Sequence, residues 1–185
     1  SFGWMSYWEL KGITALPSGY VVATGSRNQI NLCLWNTVCF APNGDSLWEH
    51  RYPNTYPSNG DEVPASIVSD LSGNVFVVGG TWNNSSNRSL AVAHYTSDGL
   101  GSWANVLDES AAHQDLGVSV AIIPSGGFYV AGNLSRTTKD IVLRRYDRCC
   151  VGVAGNLDCS ADGSVDISDL SALIDYLYLS MIPAC

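Results

Sequence analysis

The sequence predicts a mainly β protein built from about three copies of a four-stranded unit, followed by a small loop-and-helix module. Three observations carry this prediction. Glycine-rich turns alternate with aromatic and β-branched runs, as in antiparallel sheets. Two landmarks recur with a period of about 53 residues. Charge and cysteine usage change near Cys149: residues 149–185 carry five acids and no Lys or Arg, whereas residues 1–148 carry 12 acids and 9 bases. The expected domains are therefore 1–148 and 149–185.

The first landmark is a Ser-Gly turn followed by an apolar strand ending in Gly. It reads Leu16-Pro-Ser-Gly-Tyr-Val-Val-Ala-Thr-Gly25, then Leu71-Ser-Gly-Asn-Val-Phe-Val-Val-Gly79, then Pro124-Ser-Gly-Gly-Phe-Tyr-Val-Ala-Gly132. Its turn glycines Gly19, Gly73 and Gly126 lie 54 and 53 residues apart. The second landmark is an aromatic eight residues before a Trp, with a turn between them: Phe40 to Trp48 around Asn43-Gly44, and Tyr95 to Trp103 around Asp98-Gly99. These dipeptides predict two-residue hairpins with both central residues at positive φ. The Trp and its aromatic are expected on facing strands, packing between units. A third copy begins at Ile141-Val-Leu-Arg-Arg-Tyr146 and breaks off at Cys149.

This rhythm resembles the bacterial SBBP-like β-propeller repeats over residues of about 11–148. The resemblance implies a partial β-propeller of about three four-stranded blades that serves as a scaffold or binding surface. Three blades fall short of the four to eight that close a ring. The sequence is thus expected to be a piece of a larger propeller, with Trp4–Leu10 as the last strand of an earlier blade.

The C-terminal segment Asp158-Cys-Ser-Ala-Asp-Gly-Ser-Val-Asp-Ile-Ser-Asp169 fits a 12-residue EF-hand-type calcium loop. Asp158, Ser160, Asp162, Asp166 and Asp169 hold positions 1, 3, 5, 9 and 12, and Ser164 supplies its carbonyl at position 7. Gly163 stands where the loop turns sharply, and Val165 is its apolar anchor. Four carboxylates at this spacing repel one another unless a cation sits between them, and hard oxygen ligands select Ca²⁺. Leu170, Leu173, Ile174 and Leu177 then give one apolar face of a helix capped by Ser168 or Asp169.

Residues of about 152–179 resemble a single dockerin repeat, from Gly155-Asn-Leu-Asp158 through the loop to Asp169-Leu-Ser-Ala-Leu-Ile-Asp-Tyr-Leu177. The resemblance implies a calcium-dependent docking module for a cohesin-like protein or a cell-surface component, in extracellular assemblies that process polysaccharides. The chain departs from the dockerin pattern in three places. There is one loop rather than two, loop positions 10 and 11 are Ile167-Ser168, and Ile174-Asp175 replaces the basic pair on the helix.

The six cysteines lack zinc-ligand spacing and are read as disulfides of a secreted protein. Cys149 or Cys150 is expected to bond Cys185, with Cys159 pairing the other. Cys33 and Cys39 can bond each other only across a bend in their strand. A net charge of −8 disfavours nucleic acid as a partner. No run approaches the roughly 20 apolar residues of a membrane-spanning helix.

Chemistry is sparse. No G-x-S-x-G nucleophile motif occurs, and His50, His94 and His113 are isolated. Glu9, Glu49, Glu62 and Glu109 are the carboxylates that a glycosidase pair would draw on. Thr96-Ser-Asp-Gly-Leu-Gly-Ser-Trp103 approaches the Asp-box of sialidase propellers, but the pattern is shifted and reads as a hairpin. Trp82, in the expected loop Gly80-Thr-Trp-Asn-Asn, is the best candidate for stacking on a sugar ring. The sequence therefore predicts a secreted, non-catalytic scaffold with a calcium-stabilised docking module. The alternatives are a fragment of a sialidase-like glycoside hydrolase, or a carbohydrate-binding module.

Overall fold

A computed structural model describes residues 8–29, 32–52, 62–82, 88–107, 115–124, 126–135 and 139–146. The chain divides into two compact units, residues 1–122 with 129–144, and residues 123–128 with 145–185. Except where stated, the packing below is that of the first unit.

The described residues form eleven strands in three antiparallel meanders, with no helix among them. The first sheet holds β1 (Trp8–Ala15), β2 (Val21–Gln29), β3 (Leu32–Phe40) and β4 (Ser46–Arg51) in sequence order. The second holds β5 (Val63–Ser69), β6 (Val75–Trp82), β7 (Arg88–Tyr95) and β8 (Ser102–Leu107). The third holds β9 (Leu116–Ile122), β10 (Phe128–Ser135) and β11 (Lys139–Tyr146). Of the expected three four-stranded units, the first two sheets have four strands each and the third has three described strands. One expectation is corrected: Trp8, Glu9 and Leu10 open β1 of the first sheet and do not belong to an earlier one. Trp8 pairs with Arg27, and Leu10 with Gly25.

The repeat extends to the backbone. β1 carries a bulge between Leu10 and Gly12, and β5 carries one between Pro64 and Ser66, 54 residues on. Each bulge shifts the strand by one residue, so the alternation of faces changes there. Gly12 consequently faces the second sheet, where a Cβ would come within 2.8 Å of Ile67 Cγ2.

The five tight hairpins among the described residues share one glycine turn; four close on the fourth residue along, and that at Thr96 closes one residue later, on Gly101. In each, the glycine N–H donates to the carbonyl three residues earlier: Gly19 to Leu16, Gly44 to Ala41, Gly73 to Asp70, Gly99 to Thr96 and Gly126 to Ile123. The glycines have φ between 73° and 113°. These bonds correct the expected two-residue turns. Pro42-Asn43 is the centre of the second hairpin, and Gly44 follows in the left-handed region as a bulge residue. Proline at that first central position agrees with a type I turn, because its ring fixes φ near −65°.

One face of the first sheet packs on one face of the second. Val22, Trp35 and Cys39 meet Ile67, Val75, Val77, Ala91 and Tyr95 in a single buried cluster with Leu16 and Tyr52. Trp35 is fully buried and stacks on Tyr52 at 4.8 Å and 16°. Trp48 does pack between sheets, but its partner is not its own Phe40. Cross-strand partners share a face, and Trp48 pairs with Cys39, so Phe40 lies on the opposite side of the sheet. Trp48 instead meets Tyr95 of the next sheet, 5.8 Å between ring centroids.

Cys33 and Cys39 both lie on β3, an uninterrupted strand in its pairing with β2. Six residues of extended chain separate them by about 20 Å, beyond the reach of a disulfide. Cys39 is a buried free thiol, and burial pushes its pKa up. Cys149, Cys150, Cys159 and Cys185 lie outside the described residues.

Candidate functional site

The two ends of the sheets differ. The tight hairpins of the first two sheets gather at one end, where a Cβ on Gly73 would come within 3.0 Å of Ser97 and 3.8 Å of Pro17. The other end carries the longer connections. There the Glu62 N–H donates to the Cys33 carbonyl at 3.0 Å, and the Asp115 N–H to the Arg88 carbonyl at 2.8 Å. These two bonds are equivalent in the repeat and bring the loop ends of successive sheets together.

Two tryptophan–arginine pairs stand at this loop end. Trp82 closes β6 in register with Arg88, whose guanidinium carbon lies 5.4 Å from the indole centroid. Trp8 opens β1 in register with Arg27, 5.2 Å from its ring. Such cation–π contacts fix the ring's orientation. Trp8 is 53% exposed and Trp82 is half-buried. Trp82 was expected in a loop, but pairing between β6 and β7 continues through Trp82 and makes it a strand end. The Nε atoms of Arg27 and Arg88 and Nε1 of Trp82 are shielded from solvent, without an acceptor among the described residues. The loop end is therefore rich in aromatic surface and in donors without acceptors among the described residues. Arg27 and Arg88 were not singled out from the sequence; an Arg facing a Trp across a hairpin is the signal that marks them.

Buried acids tie this end together. Glu62 is 1% exposed and accepts from Thr81 Oγ1 at 3.0 Å. Asp115, at the equivalent place before the third sheet, accepts from the Ser135 N–H at 3.0 Å. Of the other candidate carboxylates, Glu49 accepts from Asn36 Nδ2 at 2.6 Å, and Glu9 pairs with Lys11. Glu109 lies outside the described residues.

The described histidines have packing roles. His50 Nε2 lies 2.6 Å from the Gly99 carbonyl oxygen, and its ring stacks on Tyr95. His94 lies between Phe76 and Trp103, with centroids at 5.0 and 5.2 Å. Burial lowers the His94 pKa from 6.5, against the weaker pull of Asp70. The unfolded chain then takes up its proton first as pH falls. His94 should therefore cost no stability well above pH 6.5, and stability should decline as pH drops below that value toward its lower folded pKa. Urea unfolding of the wild type and His94→Gln across this range checks it; equal slopes in the two proteins would refute the assignment. Asp98 serves its hairpin, accepting from Thr96 Oγ1 at 2.6 Å and the Leu100 N–H at 2.9 Å. Both bonds favour its ionised form.

The calcium-loop residues Asp158, Ser160, Asp162, Ser164, Asp166 and Asp169 lie outside the described residues. Among those described, no three His, Cys, Asp or Glu side chains converge on a metal site. No described helix is long and apolar enough to cross a membrane. No protein-family model matches the chain, and no curated protein matches it.

Proposed function

We propose that the chain is a secreted, non-catalytic binding scaffold of the β-propeller type. Its loop end takes a glycan on Trp8 and Trp82, and its C-terminal segment is a calcium-stabilised docking module. The observation that carries the reading is an arginine-backed tryptophan at the loop end of each of the first two sheets, on the first strand of one and the second strand of the other. Indole faces stack on the apolar face of sugar rings, and the adjacent guanidinium donates to hydroxyl or carboxylate oxygens. The propeller assignment draws on three meanders related by one repeat, with the same bulge and the same hairpin in each of the first two. The docking module rests on the ligand spacing of Asp158–Asp169, and its partner class is a cohesin-like protein or a cell-surface component.

Binding to a panel of neutral and uronic-acid glycans, followed by calorimetry, tests the glycan site. Trp82→Ala and Trp8→Ala should each weaken the best ligand by at least about tenfold, or ~1.4 kcal/mol. Undiminished binding in both variants would end this assignment. The calcium module is tested by titrating the full chain with Ca²⁺. One ion should bind, with a gain of helical circular dichroism. Asp158→Ala or Asp169→Ala should each abolish that binding at micromolar calcium, because each removes a charged ligand from a site tuned by charge count. A flat titration up to millimolar calcium would reduce the loop to an acidic turn.

A further inference from the structure

The interface between the first two sheets recurs between the second and third. In each, a large side chain near the start of a sheet's third strand packs on the facing side of the next sheet. In the first interface that side chain is Trp35, which joins the cluster of Val77, Ala91 and Ala93. In the second it is Leu90, 55 residues on from Trp35, and it packs on Gly132. A Cβ on Gly132 would lie 2.6 Å from Leu90 Cδ1. The glycine equivalent to Gly132 in the second sheet is Gly79, and in the first it is Gly25.

Extending this equivalence to both ends leaves, among the described residues, one half-interface open at each. The outward face of the third sheet presents Ile141, the counterpart of Leu90 and Trp35, 86% exposed, beside Leu143 at 66%. The outward face of the first sheet presents the receiving half. Trp8, Leu10, Ala23, Gly25, Val38 and Phe40 line an apolar groove of about 150 Å³. Phe40 is there the counterpart of Tyr95, which Trp48 and His50 cover in the first interface. Asn36 is 1% exposed on this side, and its Oδ1 has no donor among the described residues.

We propose that a second copy of this chain fills both faces, Ile141 of each copy seating over Gly25 of the other. The contact continues an interface that the molecule already makes twice. It joins two different surfaces, so it is heterologous and closes only if the rotation returns to the start. Two copies bring six sheets together, within the four to eight that close a ring. The inference rests on the repeat equivalence behind the propeller reading; Trp8 lines this groove as well as the glycan site, so Trp82→Ala is the glycan test that stands apart from it.

Light scattering coupled to size exclusion, on the full chain over a dilution series, tests it. The expected mass is twice the 19.8 kDa of one chain. Ile141→Asp and Leu10→Asp should each give monomers with unchanged circular dichroism, since both positions are exposed. Leu143→Asp should do the same if Ile141→Asp misfolds. Mixing Ile141→Asp with Leu10→Asp should restore a dimer, because the mixture retains one intact pair of faces. A wild type that is monomeric at every concentration would overturn the proposal. So would a dimer indifferent to Ile141→Asp, or a mass that grows without limit. Glycan binding is measured separately on wild type and Ile141→Asp, so failure of the dimer leaves the Trp82 test standing.

Discussion

Trp35→Ala is expected to lower the unfolding free energy by about 4 kcal/mol, more than any other single truncation in the first two sheets. Trp35 is fully buried, stacks on Tyr52 and joins a cluster drawn from both sheets. Removing it deletes the contact that seats one sheet on the next and leaves a cavity between β-sheet faces that cannot collapse without moving both. Two controls give the number its meaning. Trp103→Ala removes the same side chain from a position 42% exposed, and should cost about 1–2 kcal/mol. Trp35→Phe keeps most of the apolar volume and removes an indole Nε1 that has no acceptor among the described residues. It should cost about 1 kcal/mol or less, since deleting a buried unpaired donor offsets the lost contacts. Urea unfolding followed by circular dichroism measures all three. Comparable losses for Trp35→Ala and Trp103→Ala would mean that the first interface does not carry the stability of the sheets.

The repeat was legible because it is written in residues with narrow structural uses. Gly19, Gly73 and Gly126 mark left-handed turn positions, and an aromatic followed eight residues later by Trp marks a hairpin. What the period does not disclose is the face each residue takes. That depends on bulges, and the extra residue at Lys11 changes the parity between Leu10 and Gly12. It depends too on how the hairpin closes. Asn43-Gly44 was read as a two-residue turn, whereas the bond from Gly44 N–H to the Ala41 carbonyl makes the loop one residue longer. The partner of Trp48 was hidden for the same reason: Phe40 is near in sequence, but Tyr95 is the residue on the facing surface. At the loop end, Trp82 could be picked out as a tryptophan off the core period. Its backing by Arg88 follows from a strand register that composition does not contain. The loop of Asp158–Asp169 is the opposite case, a ligand spacing plain in sequence that lies outside the described residues.

Gly99→Ala should be the most damaging of the hairpin-glycine substitutions, at about 3 kcal/mol, while Gly44→Ala costs about 1–2 kcal/mol. The two glycines share a conformation, with φ of 73° and 91°. A side chain at either position carries the left-handed backbone cost. Their surroundings differ. Nothing lies within 4 Å of a Cβ built on Gly44, whereas one on Gly99 would lie 2.5 Å from Trp48 Cγ and 2.6 Å from its Cδ1. The indole has little freedom to retreat. It packs on Tyr95, its Nε1 donates to the Ser97 carbonyl at 3.3 Å, and His50 holds the Gly99 carbonyl beside it. Overpacking against such a ring adds roughly 1–3 kcal/mol to the backbone cost. The steric part can be isolated by a double-mutant cycle. In a Trp48→Leu background, Gly99→Ala should cost no more than Gly44→Ala, giving a coupling of about 1 kcal/mol or more between positions 48 and 99. Equal costs for the two glycine substitutions in the wild-type background would show that Trp48 is not seated on the hairpin. The first and second sheets would then be joined without the contact that the Trp landmark of the repeat supplies.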